Sequence, residues 1–145
     1  MANVVPTLTR VIGENGIDGW QAIWSPITTA NVQGTPVGSP LAGAGAGQAG
    51  LGELAGYADK SVAFSGVFQT AAASTIILEG SNDGVNFFPL SNPLGTIISF
   101  TGPAAAQAQI WAITEAVIQI RPRVTGGDAG TAIAVTMFFR KTQQP

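Results

Sequence analysis

The chain has 145 residues and a formal net charge of −2, and it contains neither cysteine nor histidine. The length suits one domain, the charge balance offers no basic surface for nucleic acid, and the missing cysteines exclude disulfides and thiolate metal sites. The missing histidines remove the commonest general base and zinc ligand. We therefore expect a binding or structural protein, with no enzymatic activity, no cofactor and no metal.

The first element in chain order is an N-terminal hairpin over about residues 7–25. Two apolar runs flank Glu14, and the Asn15-Gly16 pair is a strong turn signal because both central residues of such a turn take a positive φ. Trp20 and Trp24 share one face of the second strand, where they would fill the core, contact a partner or stack on a sugar. No apolar run is long enough for a membrane helix, and the first residues do not resemble a secretory signal.

Residues 34–56 predict a loop, because they are rich in glycine, alanine and proline and carry only one charge, Glu53. Such a segment gains little from burial, so it would be flexible or would order against a neighbour. The string GAGQAG at 45–50 matches a dinucleotide-binding fingerprint. Its surroundings lack the strand and helix that this motif needs, so the loop interpretation is favoured.

The remaining segments alternate with the period of β-strands: SVAFSGVF, TIILEG, GTIISFT, AVIQIRPRV and TAIAVTMFFRK. Residues 103–117 are interpreted as a turn followed by a strand. Pro122 has no N–H for a strand ladder, so its strand is expected at an edge or at a bulge. The pattern predicts an all-β fold, with residues 1–145 forming a single β-sandwich or jelly-roll-like domain that carries the Gly/Ala-rich loop.

The string GSNDGVNFF at 80–88 lies between two of these apolar runs. Asn82, Asp83 and Gly84 are typical of a tight turn, because they tolerate left-handed backbone and satisfy local hydrogen bonds. A turn that contacts a ligand stays open as an alternative. A calcium loop would need more carboxylates, and a glycosidase pair of Glu79 with Asp83 would need a cleft between them.

Charged residues make up 10% of the chain, where ~25% is typical. Such a surface favours extensive contact with other subunits, since interface cores are depleted in charge. The strand alternation points Arg121 and Arg123 away from the core, where they would be solvated or would pair with a neighbouring subunit. It also points Thr136 and Phe138 outward. The candidate interface residues are Trp20, Trp24, Arg121, Arg123 and Phe138.

The order of motifs from YADKSVAFSGVF through EGSNDGVNFF to IRPRVTGGDAGT and the basic pair Arg140-Lys141 resembles small virion proteins of tailed bacteriophages. The resemblance covers about residues 57–141. It implies a β-sandwich that decorates and cements the capsid, with the major capsid protein as its partner, a homotrimeric state and no catalytic residues. It also implies a location in the virion after assembly in the host cytoplasm. The Gly/Ala-rich stretch departs from the pattern as an insertion.

The turn EGSNDGVNF and the later strand IQIRPRV are also similar to galactose-binding jelly rolls of the discoidin type. That likeness implies sugar or lipid-headgroup binding. A glycan- or receptor-binding module on the virion surface is therefore the alternative function, and a neck or tail component is a third.

Overall fold

The computed structural model describes residues 3–12, 18–38, 59–68, 71–102, 110–115 and 117–140, and these ranges contain strands and no helix. In chain order the strands are β1 Thr7–Ile12, β2 Asp18–Ile27, β3 Val37–Gly38, β4 Asp59–Val67, β5 Ser74–Ser81, β6 Phe88–Pro89, β7 Ser99–Thr101, β8 Ile110–Ile113, β9 Gln119–Gly126 and β10 Ala132–Arg140. The expectation of an all-β chain is confirmed.

The strands form two antiparallel sheets that enclose one core as a β-sandwich. Sheet I has the order β1-β2-β10-β4-β8, and sheet II has the order β3-β9-β5-β6, with β7 also paired to β5. The predicted sandwich is therefore confirmed. The finer expectation of a jelly roll stays a prediction, with which the order of the strands is consistent.

The core follows from the period-2 alternation of the sequence. In β10, every second residue from Ile133 to Phe139 is buried, while the residues between them are half-buried. The same alternation in the other strands brings both inner faces together. The largest fully buried side chains of this core are Trp24, Phe64, Phe68, Phe139, Ile27, Ile76, Leu78, Ile98, Ile113, Ile133, Met137 and Val37.

The two strands of the predicted hairpin, β1 and β2, pair as expected, from Thr7 opposite Ile23 to Ile12 opposite Asp18. The turn with Asn15 and Gly16 lies outside the described residues. So do residues 39–58, which form most of the predicted loop over 34–56.

The first part of that predicted loop is a strand. Val37 and Gly38 pair with β9 as β3, and Val37 is only 1% exposed. The glycine- and proline-rich composition of this segment does not indicate β3, the short apolar strand at the edge of sheet II.

Pro122 lies inside sheet II and not at its edge, contrary to expectation. It stands opposite Leu78 in the eight-residue ladder between β5 and β9. Its carbonyl accepts a hydrogen bond from the Gly34 N–H at 2.9 Å on the other side. The N–H and C=O of a strand residue point the same way, so the missing donor of Pro122 faces the irregular segment 32–34. The missing N–H of Pro122 therefore removes no hydrogen bond between β9 and β5.

Candidate functional site

The β5–β6 connection is a tight turn held by Ser81 and Asp83. The Ser81 hydroxyl donates to Asp83 Oδ1 and accepts from the Gly84 N–H, both at 2.9 Å. The N–H groups of Val85 and Asn86 donate to Asp83 Oδ1 at 2.8 and 2.7 Å. Gly84 has a φ of 74°, in the left-handed region that favours glycine. The predicted turn is confirmed, and it extends to residue 87.

The carboxylate of Asp83 is engaged by the turn itself. Asn86 donates from its side chain to Asp83 Oδ2 at 2.7 Å, in addition to its backbone hydrogen bond. These bonds from Asn86, with those from Val85 and Ser81, hold the pKa of Asp83 well below its usual range. Within the described ranges, no three acidic, histidine or cysteine side chains are grouped as a metal site would need.

The same turn forms one wall of an open cleft of about 370 Å³ at this end of the sandwich. Asn82 Oδ1 accepts from the Ile118 N–H at 3.3 Å, and Glu115 Oε2 accepts from the Ser91 N–H at 3.0 Å, so both polar side chains are fixed in place. Phe88 stands at the rim, 68% exposed. The lining residues are Gly80, Ser81, Asn82, Asp83, Asn86, Phe88, Pro89, Leu90, Glu115 and Val117.

An ion cluster of Glu79, Arg121 and Arg123 occupies the outer face of sheet II. Arg121 Nε lies 3.0 Å from Glu79 Oε2, and Arg123 Nε lies 2.6 Å from Glu79 Oε1. The Glu79 side chain is only 4% exposed, and those of Arg121 and Arg123 are 19% and 31% exposed. Both arginines lie on the non-core face, as the alternation predicts, and they share one buried carboxylate.

Phe87 completes this cluster, and the sequence did not indicate its role. Its ring centroid lies 3.8 Å from the guanidinium carbon of Arg121. The sequence suggests Glu79 only as a metal ligand or as a catalytic partner for Asp83. The two carboxylates do not line one cleft, because Asp83 lines the cleft at the end of the sandwich while Glu79 faces the arginines.

Trp24 belongs to the core and is not an interface residue, which corrects that interpretation. It has no exposed surface, and its indole N–H donates to the carbonyl of Thr35 at 2.9 Å. Gly34 makes room for the ring, since a Cβ there would lie 2.5 Å from the indole. Trp20 lies on the same face and packs half-buried against the core. Neither tryptophan offers an exposed platform for a sugar.

The outer face of sheet I carries two rows of neutral side chains across all five strands. One row contains Phe138 and the other contains Thr136. We call these ten residues the neutral face: Thr9, Gln21, Phe138, Ser61 and Ala112 in one row, and Thr7, Ile23, Thr136, Ala63 and Ile110 in the other.

Phe138 points outward from this face as predicted, but it is half-buried and not fully exposed. A Cβ built on Gly19 would lie 2.9 Å from Phe138 Cζ, so the glycine leaves room for the ring beside the strand. The aromatic surface that a partner would have to cover is therefore smaller than the sequence suggested.

The edge of sheet II formed by β6 and its flanking loops is apolar and carries no charge. Between Asp83 and Glu115 the sequence has no charged residue. Four of the eight exposed large apolar side chains of the described residues lie in the stretch 85–97: Val85, Phe88, Leu94 and Ile97. This charge gap is visible in the sequence alone.

Comparison with protein-family models, with curated proteins and with solved structures finds no match for this chain. Within the described ranges, no helix is long and apolar enough to span a membrane.

Proposed function

We propose that this chain is a structural protein of a bacteriophage virion, a decoration protein that cements the capsid by bridging major capsid subunits. The observation that carries the proposal is the neutral face. Ten adjoining outward positions on five strands include Phe138, Ile23 and Ile110 and no charged residue. Interface cores are depleted in charge and enriched in aromatic side chains, so this composition favours docking against another protein.

The stabilising effect would be mechanical. A rigid sandwich that binds assembled shells more tightly than free subunits shifts the equilibrium toward assembly, and many identical sites multiply a modest free energy per contact. The sequence resemblance supports this role and the homotrimeric state. A trimer would bury part of each neutral face through closed symmetry, and the rest of the surface would contact the shell.

The direct test is binding of the purified protein to shells assembled from the major capsid protein encoded in the same genome. We expect saturable binding by co-sedimentation and a rise in the temperature at which the shells dissociate. Cryo-electron microscopy of the particles would then distinguish the capsid surface from the neck or tail. Absence of binding to shells, with the protein found elsewhere or in no particle, would overturn the proposal.

A second candidate function is glycan binding, and the cleft beside the turn favours it. Phe88 offers an exposed ring to the apolar face of a sugar, while Asn82, Asn86 and Glu115 offer polar atoms for hydroxyl groups. A glycan array separates the two functions. Specific sugar binding that is lost in Phe88→Ala, together with no affinity for shells, would place the glycan function first.

A further inference from the structure

The ion cluster carries more positive charge than its buried carboxylate needs. One arginine would neutralise Glu79, yet both Arg121 and Arg123 contact it, at 3.0 and 2.6 Å. The three side chains therefore sum to a charge of +1 on the outer face of sheet II. One arginine is enough to neutralise the charge of the buried carboxylate. The charge of the second arginine is not explained by this pairing.

The two arginines are also held in orientation. Each donates a hydrogen bond to Glu79 through Nε, and within the described residues their Nη groups form no hydrogen bond. Phe87 covers one face of the Arg121 guanidinium. A fixed guanidinium whose Nη donors no described residue binds is prepared for a second carboxylate, because little side-chain entropy is left to lose on binding.

Among the residues that the structure describes, no other carboxylate on this face is available to the two arginines. The neighbouring outward positions of β5 and β9 are neutral: Thr75, Ile77, Ser81, Gln119 and Thr125. Asp83, which follows Ser81, already accepts four hydrogen bonds within its own turn. The described part of the chain thus supplies no second carboxylate to the two arginines.

We propose that Arg121 and Arg123 together bind one acidic side chain of the protein on which this chain docks. This inference rests on the proposed function for the identity of that protein, a shell subunit. Two arginines and two carboxylates would then form a neutral, largely desolvated network at the contact. Charged hydrogen bonds of this kind fix orientation and are stronger than neutral ones.

The first experiment compares the shell affinity of Arg121→Gln and Arg123→Gln with that of Arg140→Gln. Each variant removes one positive charge. Arg123→Gln leaves a neutral Glu79–Arg121 pair, so folding should tolerate it. Arg140 belongs to an exposed ion pair with Asp59 on sheet I and serves as the matched control. We expect Arg121→Gln and Arg123→Gln each to weaken binding about tenfold or more, and Arg140→Gln to change it less than about twofold. Equal affinities would overturn the inference and leave the proposed function standing.

The second experiment needs no shell. Arginine side-chain N–H signals of the ¹⁵N-labelled protein are followed during titration with N-acetyl-glutamate amide and, separately, with inorganic phosphate at constant ionic strength. We expect saturable shifts at Arg121 and Arg123 with the carboxylate, weaker shifts with phosphate and none at Arg140.

The outcomes of the two experiments separate the proposals. Shifts at all three arginines alike, or at none, would overturn the carboxylate site. Stronger binding of phosphate would replace the protein carboxylate by a phosphate ligand. A specific carboxylate response in a protein that binds no shells would retain the site and reject the proposed partner.

Discussion

The outer faces of the two sheets use the few charges of this chain in different ways. The neutral face of sheet I has ten uncharged side chains in two complete rows, and the ion pair of Arg140 with Asp59 stands at the end of that sheet with side chains 50% and 44% exposed. Sheet II places a nearly buried carboxylate and two arginines in the middle of its ladder. The outer face of sheet I favours apolar contact with a partner. The charged groups on the outer face of sheet II would fix the orientation of that partner through directional hydrogen bonds.

This difference shows that low overall charge does not mean uniformly low charge. An exposed pair such as Arg140–Asp59 contributes little, because water screens it and long side chains must be ordered to form it. A carboxylate that is 4% exposed must keep its partners, because an unpaired charge at that position would be strongly disfavoured. The two sheets should therefore respond unequally to equivalent substitutions.

The largest expected effect is on association through the neutral face. Phe138→Asp places a charge at the centre of that face and should lower the association constant at least a hundredfold, about 2.8 kcal/mol. Analytical ultracentrifugation should show the wild type near three times 14.7 kDa and the variant near one. The β-sheet circular dichroism should be retained, because Phe138 lies outside the core.

Phe88→Asp is the matched control, since it makes the same change at an exposed ring on sheet II. We expect it to leave the oligomer intact. A wild-type monomer at micromolar concentration would contradict self-association. If Phe88→Asp dissociated the oligomer and Phe138→Asp did not, the interface would lie at the apolar edge of sheet II and not on the neutral face.

The next effect concerns the two carboxylates that pair with arginine. Glu79→Gln removes the charge that Arg121 and Arg123 share and should lower the free energy of unfolding by about 2 kcal/mol, a value reduced from that of fully buried pairs because both arginines are partly solvated. Asp59→Asn, the equivalent change in the exposed pair, should cost about 0.5 kcal/mol or less. Urea unfolding of both variants measures the difference, and equal losses would remove the distinction between the two sheets.

A smaller effect is expected at the turn that carries Phe87 to the ion cluster. Gly84 has a φ of 74°, which a β-branched residue strongly disfavours, so Gly84→Val should destabilise the fold by about 1 kcal/mol or more. Gly84→Asn should cost less, because asparagine tolerates left-handed backbone. Thermal melts would rank the variants, and the Arg121 N–H signal would report whether Phe87 still covers the guanidinium. Equal stability of all three proteins would show that the turn does not depend on glycine.

The sequence predicted those features that depend on neighbouring residues. Alternation gave the inward face of β10 and the outward direction of Arg121, and the turn around Asp83 followed from the side chains within it. Features that depend on register between distant strands were not predictable. Glu79 meets Arg121 only because β5 and β9 pair in one particular register, and Trp24 is covered because Gly34 lies against it. Period-2 patterns specify faces, while partners across a sheet come from the folded topology.

The smallest expected effect is the pH dependence contributed by Asp83. Its hydrogen bonds with Asn86, Val85 and Ser81 keep its pKa in the folded protein below that of the unfolded chain, which is about 4. Between these two pKa values the unfolded chain binds a proton that the folded protein does not bind, so stability falls as the pH decreases through this window. The contribution is complete above about pH 4 and is lost progressively below it.

Asp83→Asn retains an acceptor oxygen for the turn but carries no titrating group. We therefore expect it to melt slightly below the wild type at pH 7 and to lose less stability between pH 5 and pH 2. Asp83→Ala loses the acceptors as well and should be the least stable of the three at pH 7. Because the carboxylate is exposed, solvent screens it, and the differences should be small beside those of Glu79→Gln. A wild type and an Asp83→Asn variant with parallel acid melting curves would show that the carboxylate charge contributes nothing to the turn, whose stability would then come from its glycine and its neutral hydrogen bonds.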